Sequence, residues 1–123
     1  MALFILASAA MLSWVALLNQ FPLVFPDTLS YATTAYLGEI PGMFSAFYSF
    51  LILPLHLGIS LWPVVLVQGG LLGHLLYLVV RSTSGGEAGK VETLIILLAL
   101  ALFSSLPWFT GQVMPDVFTS SLF

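Results

Sequence analysis

Long uncharged, apolar runs alternate with short polar segments along this chain of 123 residues. A membrane-crossing helix needs about 20 mostly apolar residues. Three runs reach or approach this length, and they predict crossing helices over about 3–21, 61–80 and 93–107. A signal peptide is the alternative for the first run, but no Lys or Arg precedes Arg81 and no small-residue cleavage site follows the apolar stretch. We therefore interpret this run as a retained crossing helix.

The segment 26–58 between the first two runs has a mixed character. Its first part, DTLSYATTAYLGEIP, is too polar to cross and predicts an outer loop with a short helix. The uncharged stretch that follows is too long for one crossing helix, and Pro54, Gly58 and Pro63 interrupt it. We favour an interfacial or re-entrant helix before the 61–80 span, because about 10–14 apolar residues rarely cross alone. A tight hairpin in which both halves cross is the alternative.

The loop 81–92, RSTSGGEAGKVE, carries both basic residues of the chain, Arg81 and Lys90. Basic residues concentrate in cytoplasmic loops, so this loop and the N-terminus are predicted to be cytoplasmic. The loop 26–58 and the C-terminus are then outside. The sequence predicts an all-α integral membrane protein over 1–123, a single domain with three transmembrane helices plus one interfacial or re-entrant helix. A bacterial inner membrane is the expected location.

Composition narrows the possible functions. Hydrophobic residues make up 60% of the chain and charged residues 6%, whereas a soluble domain carries about 25% charged residues. A soluble globule and a disordered chain are both excluded. Two basic residues cannot neutralise a phosphate backbone, which excludes a nucleic-acid partner. The absence of cysteine excludes disulfides and thiolate metal sites. Membrane lipid and other integral membrane subunits remain as the expected partners.

Two aspartates are the first candidates for chemistry. Asp27 and Asp116 each follow a proline, just beyond the outer end of a predicted span. A carboxylate at the membrane surface can bind a divalent cation or accept a proton. The alternative is a helix N-cap, because Pro-Asp before a helical stretch is a common start signal. Residue type alone favours capping.

The span 61–80 contains the string QGGLLGHLLY. Gly69 and Gly73 form a GxxxG pair, which lets another helix approach closely. Gly70 lies one turn before His74, and this small-xxx-His spacing resembles the one with which light-harvesting antenna helices seat a chlorin. A haem would need a similar gap. We prefer a neutral His74 that is hydrogen-bonded to a neighbouring helix, with a pigment or haem ligand as the weaker alternative.

Two further polar residues have structural interpretations. Gln68 is expected to join helices by pairing with Asn19, Ser104 or Ser105. His56 is expected to lie near the interface in a structural role. The sequence contains no metal-ligand cluster, no Ser-His-Asp spacing and no phosphate loop, and we predict no internal repeat.

The order of these features resembles the N-terminal module of GT-C-type membrane glycosyltransferases, which take sugars from polyprenyl-phosphate carriers. The first outer loop of that module is matched by FPDTLSYATTAYLGEIP, and its juxtamembrane helix by FYSFLILPLHLGISLWP. Its next two spans are matched by VVLVQGGLLGHLLYLVVR and TLIILLALALFSSLP, and its second outer loop by WFTGQVMPDVF. The resemblance implies that Asp27 is a base or a metal-positioning carboxylate. It implies that Asp116 is a partner of a divalent metal or of the carrier phosphate.

Two functions from different classes follow. The first, which we favour here, is a small accessory transmembrane subunit that resembles a truncated glycosyltransferase module. It would pack on a larger membrane complex, for example a photosynthetic or respiratory one, because three helices offer few internal partners to Gly69, Gly70, Gly73, His74 and Gln68. The second is a polyprenyl-phosphate-sugar glycosyltransferase, or a fragment of one, with Asp27 and Asp116 as catalytic residues.

Overall fold

The computed structural model describes residues 1–38, 46–86 and 89–115, and these residues form a bundle of helices. The predicted all-α class is confirmed, because the described ranges contain helices and one isolated backbone bridge but no strand. In chain order the helices are α1 (Ala2–Leu12), α2 (Trp14–Leu18), α3 (Pro26–Leu37), α4 (Ala46–His56), α5 (Trp62–Thr83), α6 (Lys90–Phe103) and α7 (Leu106–Thr110).

The first predicted span, 3–21, is a helix in two pieces. α1 and α2 meet at Ser13, whose φ of −102° and ψ of 9° depart from helical values. The hydrogen bonds continue through this break, since Ser13 N–H donates to Ala9 O and Leu17 N–H donates to Ser13 O, each at 3.0 Å. The two pieces therefore form one continuous helix with a bend at Ser13. At 1.5 Å per residue, 2–18 covers about 25 Å.

α5 is the longest helix, with 22 residues. Within the described ranges it alone is long and apolar enough to cross a bilayer, judged by length and composition. α1 and α4 are shorter apolar helices, and α6 has 14 residues. The finding is weakly consistent with a membrane location.

The interruption predicted between α4 and α5 is present. α4 ends at His56 and α5 begins at Trp62. Leu57 and Gly58 between them have φ values of 46° and 70°, in the left-handed region, so the backbone turns sharply here. α4 has 11 residues, fewer than the ~20 that a crossing helix needs. It packs mainly against α3 and to a lesser extent against α5.

The end of α5 and the bounds of α6 differ from the prediction. α5 continues through Arg81 to Thr83, into the predicted loop. α6 begins three residues early because Glu92 Oε2 accepts the N–H of Gly89 at 2.8 Å and so caps the first turn. It ends early because Ser104 is extended, with φ −133° and ψ 170°. The chain then resumes in the short helix α7.

Two hydrophobic clusters hold the bundle together. The Tyr77 cluster joins α1, α5 and α6, and the Tyr48 cluster joins α2, α3, α4 and the start of α5 to the segment after α7. The buried members of the Tyr77 cluster are Phe4, Leu12, Leu72, Tyr77 and Leu97. Those of the Tyr48 cluster are Ala16, Tyr31, Tyr48, Ile52, Val64, Val65 and Val113.

The small-residue face of α5 packs against α1 of the same chain. A Cβ at Gly69 would lie 3.1 Å from the Cα of Ala9, and a Cβ at Gly73 would overlap the Cβ of Ser8. The close helix approach predicted from GxxxG is therefore present, and we call this contact the glycine seam. The expectation that these glycines and Gln68 have few internal partners is wrong, because α1 covers the glycines and Gln68 is hydrogen-bonded within the chain.

Candidate functional site

The connections that follow α2 and α7 run side by side at one end of the bundle. Leu23 N–H donates to Gly111 O at 2.9 Å, and Val113 N–H donates to Leu23 O at 3.4 Å. Leu23 and Gln112 thereby form an isolated parallel bridge. Two segments separated by almost ninety positions in the sequence are thus joined directly through their backbones.

The bridge aligns two copies of a short motif. LVFPD begins at Leu23 and QVMPD begins at Gln112, so each bridged residue stands four positions before an aspartate. The similarity of two such short segments carries little weight by itself. The bridge adds to it because it pairs Leu23 with Gln112, the first residues of the two segments. Asp116, the last residue of the second copy, lies outside the described residues.

A buried hydrogen-bond chain fixes the second connection to α5 and α4. Gln68 Nε2 donates to the carbonyl oxygen of Gln112 at 2.9 Å, and Gln68 Oε1 accepts from the Tyr48 hydroxyl at 2.6 Å. All three side chains are buried, with 6% exposure or less. Because an unmade buried hydrogen bond is costly, this chain holds the 111–113 segment in one position against α5.

The predicted partners of Gln68 are therefore wrong. Asn19 and Ser104 each donate to a backbone carbonyl within four residues of themselves, at 3.0 and 2.6 Å. Ser105 is exposed and lies at the start of α7. Local hydrogen bonds of this kind satisfy short polar side chains without a tertiary partner. Gln68 pairs instead with Tyr48 and Gln112, which are 20 and 44 residues away in the sequence.

Asp27 lies in the first turn of α3 with its side chain exposed. The helix start is capped by another residue, because Thr28 Oγ1 accepts the N–H of Phe25 at 2.9 Å. Within the described ranges the Asp27 carboxylate makes no hydrogen bond or ion pair. The capping interpretation is wrong for Asp27, and its carboxylate is available to a ligand.

A cavity of about 310 Å³ lies between α3 and the turn after α4. His56 forms part of its wall and is only 4% exposed. Nδ1 of His56 accepts the N–H of Gly58 at 2.9 Å, whereas Nε2 has no partner in the described part of the chain. Burial lowers the pKa of His56, so the ring is neutral at pH 7. The bond to Gly58 agrees with the structural role predicted for His56, but the unmet Nε2 could not be read from the sequence.

His74 and Gly70 line an apolar groove of about 600 Å³ between α1 and α5. A Cβ at Gly70 would lie 2.8 Å from Cγ2 of Ile5, so the Ile5 side chain covers Gly70. Nδ1 of His74 is buried without a hydrogen-bond partner among the described residues, and the ring stacks on Tyr77 at 6.3 Å between centroids. The expected hydrogen bond is missing at this nitrogen.

No group of three or more His, Asp or Glu side chains comes together within residues 1–38, 46–86 and 89–115. These residues therefore do not build a divalent-cation site by themselves. No family model, curated protein or solved structure matches the chain.

Proposed function

We propose that this chain is a membrane module of a carrier-dependent glycosyltransferase, built on three crossing segments. α1 with α2, α5, and α6 with α7 are the proposed segments. Arg81 and Lys90 flank the connection between α5 and α6, and basic residues favour the cytoplasmic side. α5 separates that connection from the paired connections, which therefore face the outside of a bacterial inner membrane.

The parallel bridge between Leu23 and Gln112 carries the proposal. It ties the segments that lead into the two Pro-Asp motifs to one end of the bundle, and the carboxylate of Asp27 is exposed and unpaired there. The accessory-subunit hypothesis loses its main physical reason at the same time, since α1 fills the glycine seam. We therefore favour the enzyme over the accessory subunit.

The proposed chemistry needs one base and one positioning carboxylate. Asp27 accepts the proton of an acceptor hydroxyl while that oxygen forms a bond to the anomeric carbon of the sugar. The bond from this carbon to the carrier phosphate breaks, and the phosphate oxygen leaves with the electron pair. Asp116 positions the substrate by accepting hydrogen bonds from sugar hydroxyls.

Sugar transfer by the purified chain in lipid nanodiscs tests this function. The substrate is a polyprenyl-phosphate-hexose labelled in the sugar, and the product is labelled sugar released to water or to an added acceptor. Asp27→Asn and Asp116→Asn should each lower the rate by about 100-fold or more, the usual loss for a removed general base. Glu92→Gln is the matched control, since it neutralises an acid on the opposite side of the membrane. Transfer at the wild-type rate in both aspartate variants would refute the proposal.

A second function, the accessory subunit, is favoured by a different observation. A groove of about 620 Å³ between α5, α6 and α7 is lined by leucines, by Phe109 and by the serines 104 and 105. Side chains of a helix from another subunit could fill this groove, and its hydroxyls could bond across the interface. Purification in mild detergent should then recover a partner in fixed stoichiometry. A lone monodisperse chain that transfers sugar would reject this function.

A further inference from the structure

We propose that the exposed face of α5 around His74 binds a second copy of this chain, with the two copies related by a twofold axis normal to the membrane. The inference is independent of the proposed sugar transfer, because it uses neither aspartate motif. The surface is named the His74 face below. It consists of Val67, Leu71, His74 and Leu78 on α5, with Leu6 and Ala10 of α1 beside them.

His74 lies near the middle of α5. At 1.5 Å per residue, it is about 18 Å along the helix axis from Trp62 and about 14 Å from Thr83. The hydrocarbon core of a bilayer is about 30 Å thick, so a crossing α5 places His74 close to the midplane. Ionisable side chains at this depth face protein or a polar partner rather than lipid.

His74 offers one of its nitrogens to the outside of the bundle. The side chain makes no hydrogen bond within the described residues, and only its Nδ1 is both buried and unpartnered. The ring is partly exposed and lines the groove between α1 and α5, so it reaches that groove through Nε2. Lipid tails cannot form a hydrogen bond with this nitrogen. A partner with a polar group at the same depth would satisfy it.

The rest of the His74 face is apolar and regularly spaced. Val67, Leu71 and Leu78 are 47%, 43% and 48% exposed. With His74 between the two leucines, the spacing along α5 is four, three and four residues, which is the spacing of a left-handed seam between two helices. The small side chain of Ala10 at the edge lets a second helix approach closely.

A second copy of the chain supplies the missing polar partner. A twofold axis normal to the membrane places each residue at the same depth as its counterpart, so that His74 meets His74 of the second copy. A neutral imidazole has one N–H and one bare nitrogen. One ring can therefore donate from Nε2 while the other accepts at Nε2. Of the six residues of the face, only His74 has a side chain that can form a hydrogen bond.

Energy transfer between dye-labelled copies in lipid vesicles tests the inference. Ser84→Cys, in a chain that has no other cysteine, carries donor or acceptor dye. Transfer should rise to a plateau with the protein-to-lipid ratio and fall when unlabelled chain is added. His74→Leu should weaken the association about 3- to 30-fold, the effect of one hydrogen bond between membrane helices. His74→Gln, which keeps a donor and an acceptor, should restore it. Neither variant should lower the unfolding temperature, since His74 makes no hydrogen bond within the described residues.

Leu98 on α6 provides a matched control for Leu71, because the two leucines are 49% and 43% exposed and Leu98 does not line the groove. Leu71→Trp should weaken the association, whereas Leu98→Trp should leave it unchanged. On oxidation in the membrane, Leu71→Cys and Leu78→Cys should form disulfide-linked dimers and Leu98→Cys should not.

A chain that stays monomeric at every protein-to-lipid ratio overturns the inference. So does a dimer that His74→Leu leaves at wild-type affinity, or one that cross-links equally well through Leu98→Cys. A lipid-soluble molecule that copurifies with a monomer and is lost in His74→Leu would also overturn it, because that molecule would then be the occupant of the face.

Discussion

Replacing Gly73 with alanine should destabilise the bundle, although alanine is the better helix former. Inside a helix the change from glycine to alanine alone stabilises by about 1 kcal/mol. At the glycine seam the new Cβ would overlap the Cβ of Ser8 and lie 2.7 Å from its Oγ. Carbon atoms pack best at about 3.5–4.0 Å, so α1 must move away from α5 by roughly 1 Å or more.

The magnitude follows from overpacking. Inserted methyl groups in a tight interior cost about 1–3 kcal/mol, which exceeds the gain in helix propensity. We expect Gly73→Ala to lower the free energy of unfolding by about 1–2 kcal/mol. For a chain of this size that shift corresponds to a fall in the unfolding temperature of roughly 3–10 °C. Circular dichroism of the purified protein during heating measures it.

A double variant identifies the contact responsible. Ser8→Gly removes the overlapping Cβ, so Gly73→Ala combined with Ser8→Gly should be more stable than the sum of the single effects by about 1–3 kcal/mol. A stabilised Gly73→Ala protein would refute the reasoning. So would strictly additive single and double variants, because the cost would then arise away from Ser8.

Three further outcomes follow from the buried polar groups. Gln68→Leu should lower the free energy of unfolding by about 2–4 kcal/mol in thermal unfolding, because it removes two buried hydrogen bonds, the one from the Tyr48 hydroxyl and the one to the Gln112 carbonyl. Trp14→Phe should cost about 1 kcal/mol in the same assay by losing the bond from Nε1 to a carbonyl oxygen of α6 at 3.0 Å. Stability should fall as the pH drops below about 6.5, because burial lowers the pKa of His56 and the unfolded chain takes up a proton that the folded chain resists. The slope is at most about 1.4 kcal/mol per pH unit, and His56→Asn should remove it.

The helices could be predicted from the sequence because their signals are local. The long apolar run predicts α5, and Pro54, Gly58 and Pro63 predict the turn before it. The polar outer segment predicts the short helix α3. The break at Ser13 has no such signal, since serine is tolerated in helices and nothing nearby is a glycine or proline.

The partners across the bundle could not be predicted. GxxxG predicts that a helix approaches closely, but it does not identify α1 as that helix. Gln68 pairs with the carbonyl of Gln112, 44 residues away. Because every residue has a backbone carbonyl, the sequence does not indicate which one accepts this hydrogen bond. The free carboxylate of Asp27 was likewise hidden, because the choice between Asp27 and Thr28 as the capping residue depends on side-chain geometry. The register between the two segments became visible only through the bridge between Leu23 and Gln112.

The absence of cysteine allows a direct test of the proposed arrangement, in which both Pro-Asp connections face outside. Single cysteines at Ala2, Leu37, Ser84 and Met114 are labelled in intact cells with a maleimide that cannot cross the membrane, and again after lysis. Leu37→Cys and Met114→Cys should react in intact cells, whereas Ala2→Cys and Ser84→Cys should react only after lysis. Labelling of Leu37→Cys and Met114→Cys from opposite sides would separate the two aspartate motifs and contradict the account.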